Sequence, residues 1–142
     1  ELVEIARHHF PGSLARQSWE DYFLDIARVV AQRATCPRAQ VGAVIVVGHR
    51  VVATGYNGSL AGQPHCVDVG CDIRVIDGVE HCNRAVHAEV NAVAQAARHG
   101  VAVGEATIYT WDALDRPSCD DCTRVIQASG VRIAPTLRHL SS

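Results

Sequence analysis

Apolar residues recur at helical spacing in three stretches of the chain and gather into short β-branched runs in four others. In "SWEDYFLDIARVVAQRA", Ser18 stands just before the periodic residues with Asp21 three positions on, a near capping box. Apolar positions then repeat through Val30, which predicts a first helix. "VGAVIVVGHRVVATGYNG" predicts two strands, residues 41–47 and 50–57, joined hairpin-fashion at Gly48-His49. Residues 58–84 are rich in glycine, cysteine and histidine and show no sustained period. An irregular segment of that length in a compact domain is usually functional or held by something. Helical spacing returns over residues 86–99 with Gly100 as the stop, followed by a strand "EATIYTW", a polar loop "DALDRPS", a helix over 119–129 closed by Gly130, and a last strand "VRIAP". The second half alternates β with α. That order predicts a partly parallel sheet covered by helices, an α/β layered domain.

With 142 residues, 48% of them apolar, the chain has the size of one domain, residues 1–142, and enough apolar surface for a core. No apolar run approaches the roughly 20 residues that span a bilayer, and no basic-then-apolar leader precedes "ELVEIARHHF". The expectation is a cytoplasmic protein without a membrane partner. All 13 cationic residues are arginines, scattered along a chain of formal charge −2, which argues against a duplex-binding surface. The six cysteines, Cys36, Cys66, Cys71, Cys82, Cys119 and Cys122, could form three disulfides in a secreted protein. Without a leader, and with histidines close by, metal ligation is the better reading.

"RAVHAEVNAVAQAARHG", residues 84–100, puts Glu89 two positions after His87. Mid-helix, residues two apart point to nearly opposite faces. At a helix start, both can be aimed at a point in front of the helix end. In "SCDDC", Cys119 and Cys122 are spaced i, i+3 at another helix start, where their sulfurs share a face and the helix dipole favours thiolates. A ligand from His87 would complete a His-Cys-Cys set and leave a fourth tetrahedral position for water, the pattern of a catalytic zinc. Glu89 would then serve as the proton shuttle, as in the H-x-E and P-C-x-x-C arrangement of zinc nucleobase deaminases. The bland alternative is a structural zinc knuckle with Glu89 as a surface acid.

"QVGAVIV", "ATGYNGSLAG", "GCDIRVIDGVEHCNRAVHAEVNAVAQAARHGV" and "CDDCTRVIQASGV" together resemble the deoxycytidylate (dCMP) deaminases of the cytidine deaminase superfamily, over residues 19–133. The resemblance implies a three-layer α/β/α domain with a central mixed sheet, hydrolytic removal of an exocyclic amine, and homo-oligomers, dimers or hexamers. It implies catalytic zinc on His87, Cys119 and Cys122 with Glu89 as the catalytic acid and base. It also implies substrate contacts around Asn57, which would help hold the sugar, and at Gly58, Ser59 and Ala88. Family members often hold a second zinc, and by resemblance a structural site would draw on Cys36, Cys66, Cys71 and either Cys82 or His81. The alternative for these four cysteines is buried free thiols. His8, His9, His49, His99 and His139 have no such company and read as solvated or core histidines.

Two departures bear on substrate. "YTWDALDRPSC" carries about four more residues than relatives have between "YVT" and "PC", with Trp111 where Thr is usual and Ser118 between Pro117 and Cys119. Leu60 replaces the proline of "GYNGSP". Trp111 could offer a flat face to a heterocycle or pack into the core. Arg38, Arg84 and Arg116 are candidates for a 5′-phosphate by position alone. The leading expectation is a zinc hydrolase acting on a C–N bond of a cyclic amidine, converting dCMP to dUMP. The same chemistry on a nucleoside, free base, pterin or other small amino-heterocycle is the alternative. A nucleic-acid-acting deaminase or binding module, disfavoured by scattered arginines and few aromatics, and a catalytically silent zinc scaffold complete the set.

Overall fold

The computed structural model describes residues 16–135. In chain order its elements are α1 (Trp19–Ala31), β1 (Val41–Val47), β2 (Arg50–Tyr56), β3 (Gly58–Ser59), α2 (Cys66–Val69), β4 (Ile73–Ile76), β5 (Val79–Cys82), β6 (Ala85–Val86), α3 (Ala88–Arg98), β7 (Thr107–Asp112), α4 (Asp120–Ala128) and β8 (Arg132–Ile133). His8, His9 and His139 lie outside the described residues.

The cap read in the sequence is present: Ser18 is extended, and its Oγ accepts the Asp21 N–H at 3.1 Å. Helix α1 buries Phe23, Ala27 and Ala31, one stripe at i, i+4 and i+8. Helix α3 buries Ala88, Ala92 and Ala96 with the same period.

The main sheet has the order β2-β1-β7-β8. Strand β1 runs antiparallel to both β2 and β7, while β7 and β8 are parallel, joined by the crossover that α4 provides. Strand β1 is buried on both faces, which is why it reads as a continuous apolar run instead of an alternation. Ala43 and Ile45 join Ala53, Ile108, Ile126 and the α3 alanines on one side. Val44 and Val46 join Phe23 and Ala27 of α1 on the other. Two helical layers thus enclose a mixed sheet, as expected.

The irregular segment holds more structure than its period shows. Strands β4 and β5 form a hairpin through Asp77 and Gly78, both at positive φ (51° and 78°), the conformation that an Asp-Gly hairpin turn demands. All but the last residue of the pair is exposed, so the usual alternation of a half-buried strand is missing. Strand β7 also runs later than expected, ending at Asp112 and not at Trp111.

Glycine at two sites sets the spacing of the layers. A Cβ on Gly42 would stand 2.0 Å from the Ala27 carbonyl oxygen of α1, and one on Gly55 would stand 2.4 Å from the Ala88 oxygen and the Ala92 nitrogen of α3. Backbone meets backbone there, and nothing flexible can give way. Gly55→Ala is therefore expected to cost about 1–3 kcal/mol or more, as overpacking does. Gly104→Ala, where a Cβ meets nothing within 4 Å, should stay near wild type. Urea denaturation of the two variants side by side checks this.

Candidate active site

The N-termini of α3 and α4 meet at the site. His87 is the N-cap of α3, with φ −67° and ψ 150°, so its backbone is extended and only Glu89 lies inside the helix. That break in geometry lets residues two apart share one site. The approach of α3 is fixed by Asn91, whose Nδ2 donates to the Tyr56 carbonyl at 2.9 Å, and by Gln95, whose Oε1 accepts the Thr54 N–H at 2.9 Å. Cys119 is likewise the extended N-cap of α4, and its sulfur accepts the Cys122 N–H at 3.5 Å.

The His87 Nδ1 lies 3.1 Å from the Cys122 sulfur and 3.5 Å from that of Cys119. Donor atoms of the three residues all fall within 4.8 Å of one another. Glu89 is buried at 4% exposure beside them. Burial pushes the Cys122 thiol pKa up, and the neighbouring Glu89 and Cys119 push it further. Two sulfurs and a buried carboxylate facing one point repel each other when ionised, and a divalent cation relieves that repulsion. The donor set, one nitrogen and two sulfurs at two helix N-termini, suits zinc.

His87, Glu89 and Cys119 form the floor of a pocket of about 370 Å³ that also takes in Ala88, Asn57, Thr110, Asp112, Arg38, Arg116 and residues 80–82, while Cys122 is buried outside its lining. Such a volume suits a small molecule. Asn57 reaches the wall, but its Oδ1 accepts the Val41 N–H at 2.8 Å and its Nδ2 donates to the Ala39 carbonyl at 2.7 Å. Its side chain thereby shapes the 39–41 segment. Gly58 and Ser59 lie off the pocket and pair with Val86 and Ala85, bracing the strand that leads into His87. Trp111 requires a correction. Thr110 and Asp112 face the pocket, so the pleat of β7 turns Trp111 to the opposite face, where it packs with Tyr109 against the α1 layer. An indole there cannot stack on a ligand in this pocket. Of the three arginines, Arg38 and Arg116 line the pocket and Arg84 does not.

The second cysteine group also gathers, in part. The sulfurs of Cys66, Cys71 and Cys82 lie within 4.8 Å of one another, with Cys66 and Cys82 at 3.7 Å. Cys36 is outside that set, though its charge still bears on Cys71. His81 and Cys82 both line the pocket, and Cys82 is the member that β5 contributes to the set. Burial raises the Cys66 pKa to about 11. At Cys82 burial acts the same way, but the N–H groups of Ala85, Arg84 and Asp72 donate to the sulfur and bring its pKa down to about 7. Amides converging on a sulfur favour thiolate, as a structural metal site requires.

Sequence reading missed Asp112, Glu80 and Thr110 as pocket residues. The signal for Asp112 was its place four residues before Arg116 on a loop already marked as unusual. Glu80 and Thr110 carried none.

The family model for the cytidine and deoxycytidylate deaminase zinc-binding region matches residues 17–136. The chain belongs to this family. It is 44% identical over 115 residues to ComE operon protein 2 of Bacillus subtilis, covering 81% of this chain and 57% of that protein. The chain thus spans little more than half of that relative. It is 39% identical over 127 residues to the deoxycytidylate deaminase of Mycobacterium phage D29, covering 83% of this chain and 93% of the phage protein. Among solved structures, the dCMP deaminase of cyanophage S-TIM5 in complex with dCMP and dUMP superposes with a TM-score of 0.66 at 23% identity, over 84% of this chain and 81% of that one. Cytidine deaminase of Mycobacterium tuberculosis gives 0.57 at 19%, over 86% and 88%. These two likenesses bear on the fold.

Two zinc ions per chain are the expected metal content of purified protein. A Cys66→Ser, Cys71→Ser variant should lose one zinc and melt earlier, since structural metal binding is coupled to folding. His87→Ala should lose the other. Elemental analysis of the three proteins checks the assignment, and a double variant that keeps both ions refutes the second site.

Proposed function

We propose that this chain catalyses hydrolytic deamination of a cytosine nucleotide, dCMP to dUMP with release of ammonia. The observation that carries the reading is the convergence of His87, Cys119 and Cys122 beside a buried Glu89 that lines a small-molecule pocket. It is supported by the 39% identity to a phage deoxycytidylate deaminase almost throughout that protein's length.

His87, Cys119 and Cys122 would hold zinc, which supplies Lewis-acid activation of water when bound. Glu89 accepts the proton of a water at the pocket floor as its oxygen attacks the ring carbon bearing the amine. It then delivers that proton to the departing nitrogen, so that water and cytosine become uracil and ammonia. Burial keeps bulk water away from Glu89 and holds its carboxylate at the site. Ala88, 1% exposed and on the pocket wall, leaves room beside the carboxylate for a flat ring.

Among the described residues no helix is long and apolar enough to cross a membrane. A free nucleotide as substrate fits the cytoplasm. Self-association, as a dimer or hexamer, belongs to the same reading. Leu60, Val67, Val69, Ile73, Val75, Ile76 and Val79 stand exposed on the 60–79 segment, apolar side chains that a partner protomer would cover.

One observation favours a second reading, in which the amine belongs to another heterocycle: Asp112, Arg116, Pro117 and Ser118 of the lengthened loop all line the pocket. Ammonia release across dCMP, deoxycytidine, cytosine and a pterin amine distinguishes the two, dCMP being the expected best substrate. On that substrate Glu89→Gln should keep its zinc and lose turnover by several orders of magnitude, because an amide accepts no proton. Near-normal turnover would refute the role of Glu89. Trp111→Thr should lower stability by roughly 1–3 kcal/mol, somewhat less than a fully buried aromatic costs. The substrate ranking should not move. A changed ranking in the ammonia assay would return Trp111 to the pocket.

A further inference from the structure

Two arginines stand at the mouth of the pocket, about half exposed, while Glu89 at its floor is buried. They come from neighbouring segments. Val41 pairs with Asp112, and the Ala113 N–H donates to the Gln40 carbonyl at 3.0 Å, so the stretch carrying Arg38 and the loop carrying Arg116 leave the sheet side by side.

Their anchors differ. Asp112, with a side chain 8% exposed, accepts the Leu114 N–H at 2.7 Å and takes Nε and Nη2 of Arg116 at 3.0 and 3.4 Å. Only one edge of the guanidinium is used by this carboxylate, and the buried partner fixes the plane of the group. Arg38 instead meets Glu80 at 3.4 Å on the exposed hairpin, a pair loose enough to exchange for another anion.

Glu89 is buried while both guanidiniums are about half exposed at the same pocket, so a ligand that brings its ring to the carboxylate leaves its anionic end for the arginines. We propose that Arg116, oriented by Asp112, recognises the 5′-phosphomonoester of the substrate, with Arg38 as a second and movable contact. This assignment rests on the nucleotide reading above. A phosphomonoester carries nearly two negative charges and three acceptor oxygens, which a fixed guanidinium can engage with two parallel N–H groups. The ring bearing the amine is thereby directed toward Glu89. Asp112 acts through Arg116 as a positioning residue. The loop that departs from the family pattern would then select nucleotides over nucleosides.

The test measures kcat/KM for dCMP and deoxycytidine in zinc-loaded wild type, Arg116→Ala, Arg116→Lys and Asp112→Asn, with calorimetric binding of dUMP and deoxyuridine. Arg116→Ala should lower kcat/KM for dCMP by roughly 10–100-fold, the range for lost charge-assisted hydrogen bonds. It should change deoxycytidine far less and weaken dUMP binding in parallel, with zinc content intact. Arg116→Lys should recover part of the loss, and Asp112→Asn should raise KM for dCMP more than it lowers kcat. Wild type preferring dCMP while Arg116→Ala leaves the dCMP to deoxycytidine ratio unchanged overturns this assignment alone. Equal losses on both substrates, marking Arg116 as merely structural, also overturn it. Wild type preferring deoxycytidine overturns the nucleotide reading and the role of Arg116 with it.

Discussion

How near α3 comes to the sheet decides where His87 and Glu89 stand. The approach is set by absence of side chain: Gly55 on β2 meets the α3 backbone at Ala88 and Ala92, and the helix offers only alanines on its inner stripe. Larger residues in that layer would lift the helix and carry its N-terminus away from α4. The two cysteines would keep their spacing on α4, but the histidine that closes the set with them would be out of reach. Small residues are ordinarily weak contributors to a core because they bury little area. Here their value is positional, and Asn91 and Gln95 add directional bonds from the same helix to β2 and its end.

Both helices that contribute to the site present their N-termini to it, and this organises its electrostatics. Unpaired amides and the positive ends of the helix dipoles point to where thiolates and a carboxylate gather. Burial, with Glu89 and Cys119 close by, nevertheless pushes the Cys122 thiol pKa up. Cys82 contrasts with it. It is also desolvated, yet amides from Ala85, Arg84 and Asp72 outweigh the burial. One cysteine group is therefore poised for metal by local backbone geometry, and the other depends on elements far apart in sequence coming together.

That difference explains what could be read from the sequence. Periodicity found α1, α3 and α4 because each has a single buried stripe, and the two-residue offset of His87 and Glu89 located a helix start that the backbone angles bear out. The β4–β5 hairpin escaped because its side chains are almost all exposed, leaving no alternation to detect. Trp111 was ambiguous for another reason. Neighbours on a strand face opposite ways, so its role hinged on the parity of β7 relative to the pocket, which no local pattern contains. Asn57 lines the pocket, and its bonds to Ala39 and Val41 were not legible because they cross a gap in sequence.

On the proposed reading, chemistry and selectivity rest on different parts of the chain. The floor is made of helix ends pressed on a sheet, where a shift of an ångström would separate His87 from the two sulfurs. The mouth is made of connections: the 36–41 segment, the β4–β5 hairpin and the loop after β7. Lengthening the last of these by a few residues leaves the register of β7 with β1 untouched, because the added chain leaves the sheet only after Asp112. Such a loop can change which end of a ligand is held without disturbing the groups that act on the other end. It must still be rigid to discriminate. Asp112 provides that rigidity by joining the last sheet residue to Leu114 and Arg116 through one carboxylate, so the orientation of a surface arginine is inherited from the core strand beneath it.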